Sequence, residues 1–302
     1  VDYGILYRER YQVLRKAVDK FLELPTLEFE AFCQENAYWL SDYAKFMEKK
    51  SEDETFWKVV QYLFFEQWYS LKKYANERGI AIIGDLPIYV SLDSVDVWAY
   101  PELFQLDENG VPQEVAGCPP DGFSENGQLW GNPLYDWEYM AQDGYQWWIR
   151  RIKYLCQMYD VLRIDHFRAF AGYYAIPYGD DTARNGRWRL GPGMRLFEAV
   201  EKSIGKQRII AEDLGHVTDD VRQLLKDSGF PGMKVLQFAF DTDEENDYLL
   251  HNFTKNSVAY AGTHDNDTII GWFREADKED TAYAREYLDI HNDDALNWDM
   301  MD

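Results

Sequence analysis

LRIDHFRAF, residues 162–170, opens as an apolar strand and closes on clustered charge. Leu162 and Ile164 alternate with Arg163 and Asp165, and His166 and Arg168 follow at once. Neither a helix face nor a strand face by itself calls for an acid between two arginines and a histidine; a site at a strand end does. Outward from this stretch the pattern repeats. The helix QWWIRRIKYLCQMY leads into DVLRID, the helix MRLFEAVEKSI into RIIAED, and the helix TDDVRQLLKDSG into MKVLQFAF, with SVAYAGTHD beyond. Upstream, IAIIGDLPIYV (80–90) is a short β-branched run of the kind that forms a buried parallel strand. Strands are therefore expected at 80–85, 161–165, 208–213, 233–238 and 257–261. Strands alternating with helices predict βα units on a parallel sheet. Acids close several of them: Asp85, Asp165, Glu212 with Asp213, and Asp265 just past the last. In a (β/α)8 barrel the C-terminal strand ends carry the chemistry. A doubly wound sheet usually announces itself with a glycine-rich phosphate loop, and neither GxGxxG nor a Walker sequence occurs here. The expected fold is α/β, a (β/α)8 TIM barrel.

Residues 7–75 read differently. YRERYQVLRKAVDKFLEL, FEAFCQENAYWLSDYAKFM and ETFWKVVQYLFFEQWYSLKKYANERG predict helices, the last closing at Gly79 as a helix should. Residues 91–137 are rich in turn signals (DENG, GCPPDG, SENG, WGNP), and a loop of that length inside a compact domain is normally functional. GYYAIPYGDDTARNGRWRLGPG is a second irregular stretch. The expected organisation is a helical subdomain and barrel helix over 1–78, then a catalytic barrel segment over 79–302 with active-site loop insertions at 91–137 and 171–192.

The composition narrows the partners. A formal net charge of −23 argues against nucleic acid and anionic membranes, whose phosphates need a basic patch. The aromatic share of 17%, with 11 Trp and 22 Tyr, supplies ring faces that stack on sugars or bases as well as fill a core. Cys33, Cys118 and Cys156 are widely spaced and form no CxxC pair, which points to a reducing, cytoplasmic compartment. The start, VDYGILYRERYQ, has no signal-peptide hydrophobic region, and no apolar run is long enough to span a bilayer.

Clustered carboxylates at one barrel mouth could hold Mg²⁺ or Ca²⁺ through oxygen ligands. Alternatively, two of them could cleave a glycosidic bond, one as nucleophile and one as proton donor. The neighbours favour the second reading. Arg163 and His166 flank Asp165, and a cation lowers a carboxylate's pKa and keeps it charged, while competing with a metal ion for the same oxygens. Glu212 follows Ile209, Ile210 and Ala211, an apolar approach that would raise its pKa as an acid requires. No histidine and cysteine spacing indicates a zinc site.

Five stretches tie these residues to a known family. GDLPIYVSLDSVDVWAYPELF, AGCPPDGFSENGQLWGNPLYDW, LRIDHFRAF, IIAEDLG and GTHDNDTIIGW, in this order over most of 60–275, resemble the 4-α-glucanotransferases (amylomaltases or disproportionating enzymes) of the α-amylase clan. The resemblance implies a retaining double displacement that moves α-1,4-glucan segments, as in starch, glycogen or maltose metabolism. Maltooligosaccharides and other α-1,4-glucans would be donors, and glucose or maltooligosaccharides acceptors. No cofactor is implied. Asp165 corresponds to the nucleophile that forms a β-glucosyl intermediate, Glu212 to the acid/base, and Asp265 to the carboxylate that grips sugar hydroxyls and stabilises the transition state. Arg163 would orient Asp165; His166, His264, Asp85 and, less directly, Asp241 would serve the donor subsite. PPDGFSENGQLW (119–130) corresponds to a loop covering the active site, with Phe123 and Trp130 meeting sugar and excluding water. His216 has no fixed role in the pattern.

The chain also departs from that pattern. VDYGILY begins after the family's first barrel strands, DDALNWDMMD stops before its last, and AKFMEKKSEDETFWKVV is shorter than the family's insertion there. About strands 3–7 of the barrel are expected, with little or no turnover from these 302 residues alone. The alternatives are an α-glucan hydrolase of the same clan, a catalytically inactive glucan-binding fragment and, last, a metal-dependent aldolase or isomerase barrel.

Overall fold

The computed structural model describes residues 2–121, 124–215, 217–240 and 246–301. In chain order these form helices α1 (Tyr3–Leu22), α2 (Leu27–Glu35), α3 (Ala37–Glu48) and α4 (Glu54–Asn76), then strand β1 (Ile83–Leu86) and helix α5 (Val95–Ala99). Strands β2 (Glu114–Cys118) and β3 (Gln128–Pro133), helices α6 (Trp137–Gln142) and α7 (Gln146–Met158) and strands β4 (Val161–Ile164), β5 (Gly172–Pro177) and β6 (Arg187–Leu190) follow. The rest runs α8 (Met194–Ile204), β7 (Ile209–Ala211), α9 (Asp219–Ser228), β8 (Gly232–Val235), β9 (Ser257–Tyr260), α10 (Ile269–Glu275), α11 (Lys278–Tyr287) and α12 (Leu296–Asp299). Two compact units result: Val1–Ile82 with Tyr89–Met140 and Ala175–Gly186, and Ile83–Ile88 with Ala141–Tyr174 and Arg187–Asp302.

In the first unit, α4 starts where the Asp53 carboxylate accepts the Phe56 N–H at 2.9 Å. Such a cap satisfies a backbone donor that the helix itself leaves unpaired. Phe56, Trp57 and Val59 of α4 then pack with Val18 and Ala44 in a buried cluster that unites α1, α3 and α4. The same unit corrects the expectation of a structureless 91–137 segment, because β2 and β3 pair antiparallel within it. Their short runs, interrupted by glycine and proline, carry no period long enough to distinguish them from turns. The stretch 171–192 likewise contains β5 and β6.

The second unit holds the parallel strands. All five expected strands are present as β1, β4, β7, β8 and β9. β1 pairs parallel with β4, β4 with β7, and β8 with β9. A hydrogen bond of 2.9 Å from the Ala211 N–H to the Pro231 carbonyl joins the end of β7 to the residue before β8. Spatial order thus follows chain order, without the reversal that defines a doubly wound sheet. The α8 helix ends at Gly205 and α9 at Gly229, both with positive φ, the conformation that only glycine adopts cheaply at a helix end. Trp148 of α7, Phe167 and Phe170 are fully buried. Phe197 of α8 packs against both phenylalanines, with ring centroids 5.4 and 5.1 Å away.

One glycine fixes the α7–β1 packing. A Cβ on Gly84 would lie 1.9 Å from the Tyr159 ring, which follows α7. Gly84→Ala is therefore expected to destabilise the chain by about 1–3 kcal/mol through overpacking. Urea unfolding checks this: an unchanged midpoint would mean that Tyr159 moves aside at no cost.

Candidate active site

Register brings the strand-end acids together. In the β1–β4 pair, Asp85 lies opposite Arg163 and Leu86 opposite Ile164; in the β4–β7 pair, Ile164 lies opposite Ala211. The ladder continues one residue further, since the Asp165 N–H donates to the Leu86 carbonyl at 3.0 Å and the Glu212 N–H to the Ile164 carbonyl at 2.9 Å. Asp165 and Glu212 are thus neighbours on adjacent strand ends, whose separation in a sheet is about 4.8 Å. The period of two along a strand puts Arg163 and Asp165 on one face.

Arg163 is the buried hub. Its Nη1 lies 2.7 Å from Asp85 Oδ1 and 3.1 Å from Asp165 Oδ1, and its Nε–H donates to Met233 Sδ at 3.4 Å. The guanidinium occupies the position between two carboxylates that a divalent ion would need. Among the described residues no group of three or more His, Cys, Asp or Glu side chains is arranged to hold a metal. Burial works against the Arg163 charge, but Asp85, Asp165 and Glu212 outweigh it and raise the pKa.

Glu212 is held by two backbone donors. The His166 N–H reaches Oε2 at 2.7 Å and the Leu214 N–H reaches Oε1 at 3.1 Å. His166 stands at φ 47, in the left-handed region, and this turn aims its N–H at the carboxyl. Burial first, and then the Asp165 charge, push Glu212 up to about 7, against the opposing pull of Arg163 and the two N–H groups. This agrees with the sequence expectation for Glu212.

The corresponding expectation for Asp165 needs correction. Arg163 does lower its pKa, but burial is the larger effect and the Asp85 and Asp265 charges add to it, so the net direction is upward. The Asp165 charge on the adjacent strand end in turn raises Glu212. The difference between them lies in the partner: Asp165 has the direct ion pair with Arg163, whereas Glu212 is held by two backbone N–H groups and is pushed up to about 7.

His166 contributes a neutral imidazole, pushed down to about 3 by burial and by the Arg168 charge. His264 and Asp265 follow β9 and are exposed, with His264 Nε2 3.4 Å from Asp265 Oδ1. Trp130 lies on β3 in the other unit, where its ring is 6.2 Å from that of Tyr89 and its Nε1–H donates to Gln128 at 3.0 Å. Phe123, His216 and Asp241 lie outside the described residues.

Sequence reasoning missed several supporting groups. Asp213 is buried and accepts the Met233 N–H at 2.7 Å, and the missing side chain of Gly232 leaves room for its carboxylate. Tyr248 has its phenol pushed up by burial and by the Asp213 charge, with Glu212 contributing. Only the acid doublet Glu212–Asp213 hinted at any of this.

The 4-alpha-glucanotransferase family profile matches residues 1–56 and 48–302. The 4-alpha-glucanotransferase of Clostridium butyricum is 44% identical over 330 residues, covering 99% of this chain and 68% of that protein. That of Streptococcus pneumoniae is 46% identical over 320 residues, covering 95% and 63%. The solved amylomaltase of Streptococcus agalactiae, in complex with acarbose, superposes with a TM-score of 0.94 at 41% identity, over 100% of this chain and 68% of its own. The chain thus spans about two thirds of the length of these relatives.

Proposed function

The chain belongs to the 4-alpha-glucanotransferase family, and from that premise we propose that it carries the donor-cleaving carboxylates of an α-1,4-glucan transferase with a retaining double displacement. The observation that carries this reading is the Asp165–Glu212 pair on adjacent strand ends, one carboxylate ion-paired to Arg163 and the other pushed up to about 7. Their backbones lie one strand spacing apart, which lets the two carboxyl groups approach to the about 5–5.5 Å of retaining enzymes.

In this mechanism Glu212 begins protonated and gives its proton to the glycosidic oxygen of a maltooligosaccharide as the bond to C1 breaks. Asp165 attacks C1 from the opposite face and forms a β-glucosyl ester. Glu212, now a base, takes the proton from the 4-hydroxyl of an acceptor glucan or glucose. That oxygen displaces Asp165 and restores the α-linkage, leaving Glu212 protonated for the next cycle. Arg163 holds Asp165 in line, and Asp265 receives sugar hydroxyls as positive charge develops at the ring. Asp85, His166, His264 and Asp241 serve the donor subsite, while Phe123 and Trp130 keep their proposed role as sugar-contacting aromatics in a loop that favours glucan over water. The neutral imidazole of His166 can both donate to and accept from hydroxyls.

The chain-order parallel strands support reading 79–302 as part of a (β/α)8 barrel, about strands 3–7, with insertions at 91–137 and 171–192 and a helical subdomain over 1–78. Three cysteines without disulfides fit a cytoplasmic site of action. No helix among the described residues is long and apolar enough to cross a membrane.

Incubation with maltotriose tests the function. Transfer yields glucose together with oligomers longer than maltotriose, at a constant number of reducing ends. A rising count of reducing ends would instead identify a hydrolase, and binding without products an inactive glucan-binding chain.

A further inference from the structure

The loop after β9 that carries Asp265 is fixed by two side-chain amides. Asn266 Oδ1 accepts from both the Thr263 N–H and the Thr263 hydroxyl, each at 2.9 Å. Because that hydroxyl donates its proton to Asn266, its oxygen is free to accept, and the Asp265 N–H lies on it at 3.3 Å. The chain Asn266, Thr263, Asp265 therefore sets the backbone from which the Asp265 carboxylate projects. From the other side comes Gln237, just past β8, a buried polar side chain whose Nε2–H donates to the Asp267 carbonyl at 3.0 Å. Gly262 makes room for it: a Cβ there would lie 2.6 Å from Gln237 Nε2. Asp265 is thus clamped between Thr263 and Asp267, one end held by Asn266 and the other by Gln237.

We propose that Asn266 and Gln237 are positioning residues that hold Asp265 in register for the transition state, Asn266 through Thr263 and Gln237 through the Asp267 carbonyl under Gly262. The inference rests on the transferase reading for the role of Asp265, but not for the geometry. An exposed carboxylate on a loop has no packing to hold it, so its direction must come from the backbone beneath. A misplacement of about 1 Å in a catalytic group can cost about 100-fold in rate. Binding of the ground-state glucan is spread over many contacts and changes far less. Asn266→Ala should therefore lower kcat for maltotriose transfer by about 10- to 100-fold with KM within about twofold. Asn266→Asp keeps the Oδ1 acceptor and should recover most of the loss. Gln237→Ala should act in the same direction.

Two measurements on the whole chain decide it. The first is amide hydrogen exchange, which needs no glucan. In Asn266→Ala the Asp265 and Thr263 amides should exchange at least about 10-fold faster while those of β9 do not change; unchanged Asp265 exchange overturns the proposal whatever the activity. The second is a double-mutant cycle with Asp265→Asn. If Asn266 acts through Asp265, adding Asn266→Ala to Asp265→Asn should cost little more. A full, additive loss in that background would place the action of Asn266 elsewhere and overturn the proposal. Should the exchange result hold while Asp265→Asn leaves kcat for maltotriose transfer unchanged, the clamp stands and the catalytic role of Asp265 in the transferase reading is what fails.

Discussion

Glu212→Gln is expected to cut transfer from maltotriose by about 100- to 10,000-fold, because the glucosyl oxygen then leaves without a proton. The amide keeps the size of the side chain, but its single oxygen can accept from only one of the His166 and Leu214 N–H groups, and its NH2 faces the other. A loss of chemistry must therefore be told apart from a loss of folding. An α-glucosyl fluoride donor separates the two, since fluoride leaves without an acid. With that donor, formation of the glucosyl ester should slow by less than about 10-fold, and the ester should accumulate on Asp165, where mass spectrometry can locate it. In the wild type, Glu212 must be protonated for the first step, so kcat/KM for maltotriose should fall as pH rises through about 7. That alkaline limb should vanish for the fluoride donor. An equal loss on both donors would remove Glu212 from the acid role.

The same group ties activity to stability. With Glu212 pushed up from 4.5 to about 7, the folded chain retains a proton that the unfolded chain has released, and stability from this group declines as pH rises across that window. The wild type should accordingly be less stable at about pH 8 than at about pH 4 by on the order of 3 kcal/mol from this group, a decline that Glu212→Gln, which cannot titrate, should lack. Thermal unfolding at the two pH values checks the sign.

Arg163→Met is the second large expected effect. It deletes the charge that pulls Asp165 toward ionisation from within hydrogen-bond distance, and it leaves Asp85 and Asp165 opposed across the gap. The Asp165 pKa then rises further, and the acid limb of kcat/KM should move up by about one to three pH units. Glu212 loses the same opposing charge, so the alkaline limb should move up as well, in the same direction. Because the two carboxylates titrate as a coupled pair, both limbs report the pair and not single residues. Arg163→Lys should not restore the wild-type profile, since one ammonium cannot keep both carboxylates and the Met233 sulfur in the fork geometry of a guanidinium. A pH profile with unmoved limbs would show that Arg163 only fills space.

The reach of the sequence can be judged on particular residues. Local pattern made the parallel strands β1, β4, β7, β8 and β9 legible: they are short apolar runs rich in β-branched residues, and four of the five follow a helix. The strand-end acids were legible for the same reason, since charge after an apolar strand is unusual enough to mark a site. The strands β2, β3, β5 and β6 were not legible, because their pairing is long-range and their runs are short and broken by turn residues. Electrostatic balance was legible in part. The apolar approach to Glu212 was visible, whereas Asp165 adjoins Arg163 in sequence and the burial that outweighs that cation depends on strands packed around it. Asn266 acts within its own loop through Thr263, whereas Gln237, Asp213 and Met233 act across gaps in the chain of up to 70 residues, as in the Arg163–Met233 contact. Register between strands created those neighbours. A linear pattern can specify which groups stand at each strand end, but burial and cross-strand contact exist only once the strands are side by side.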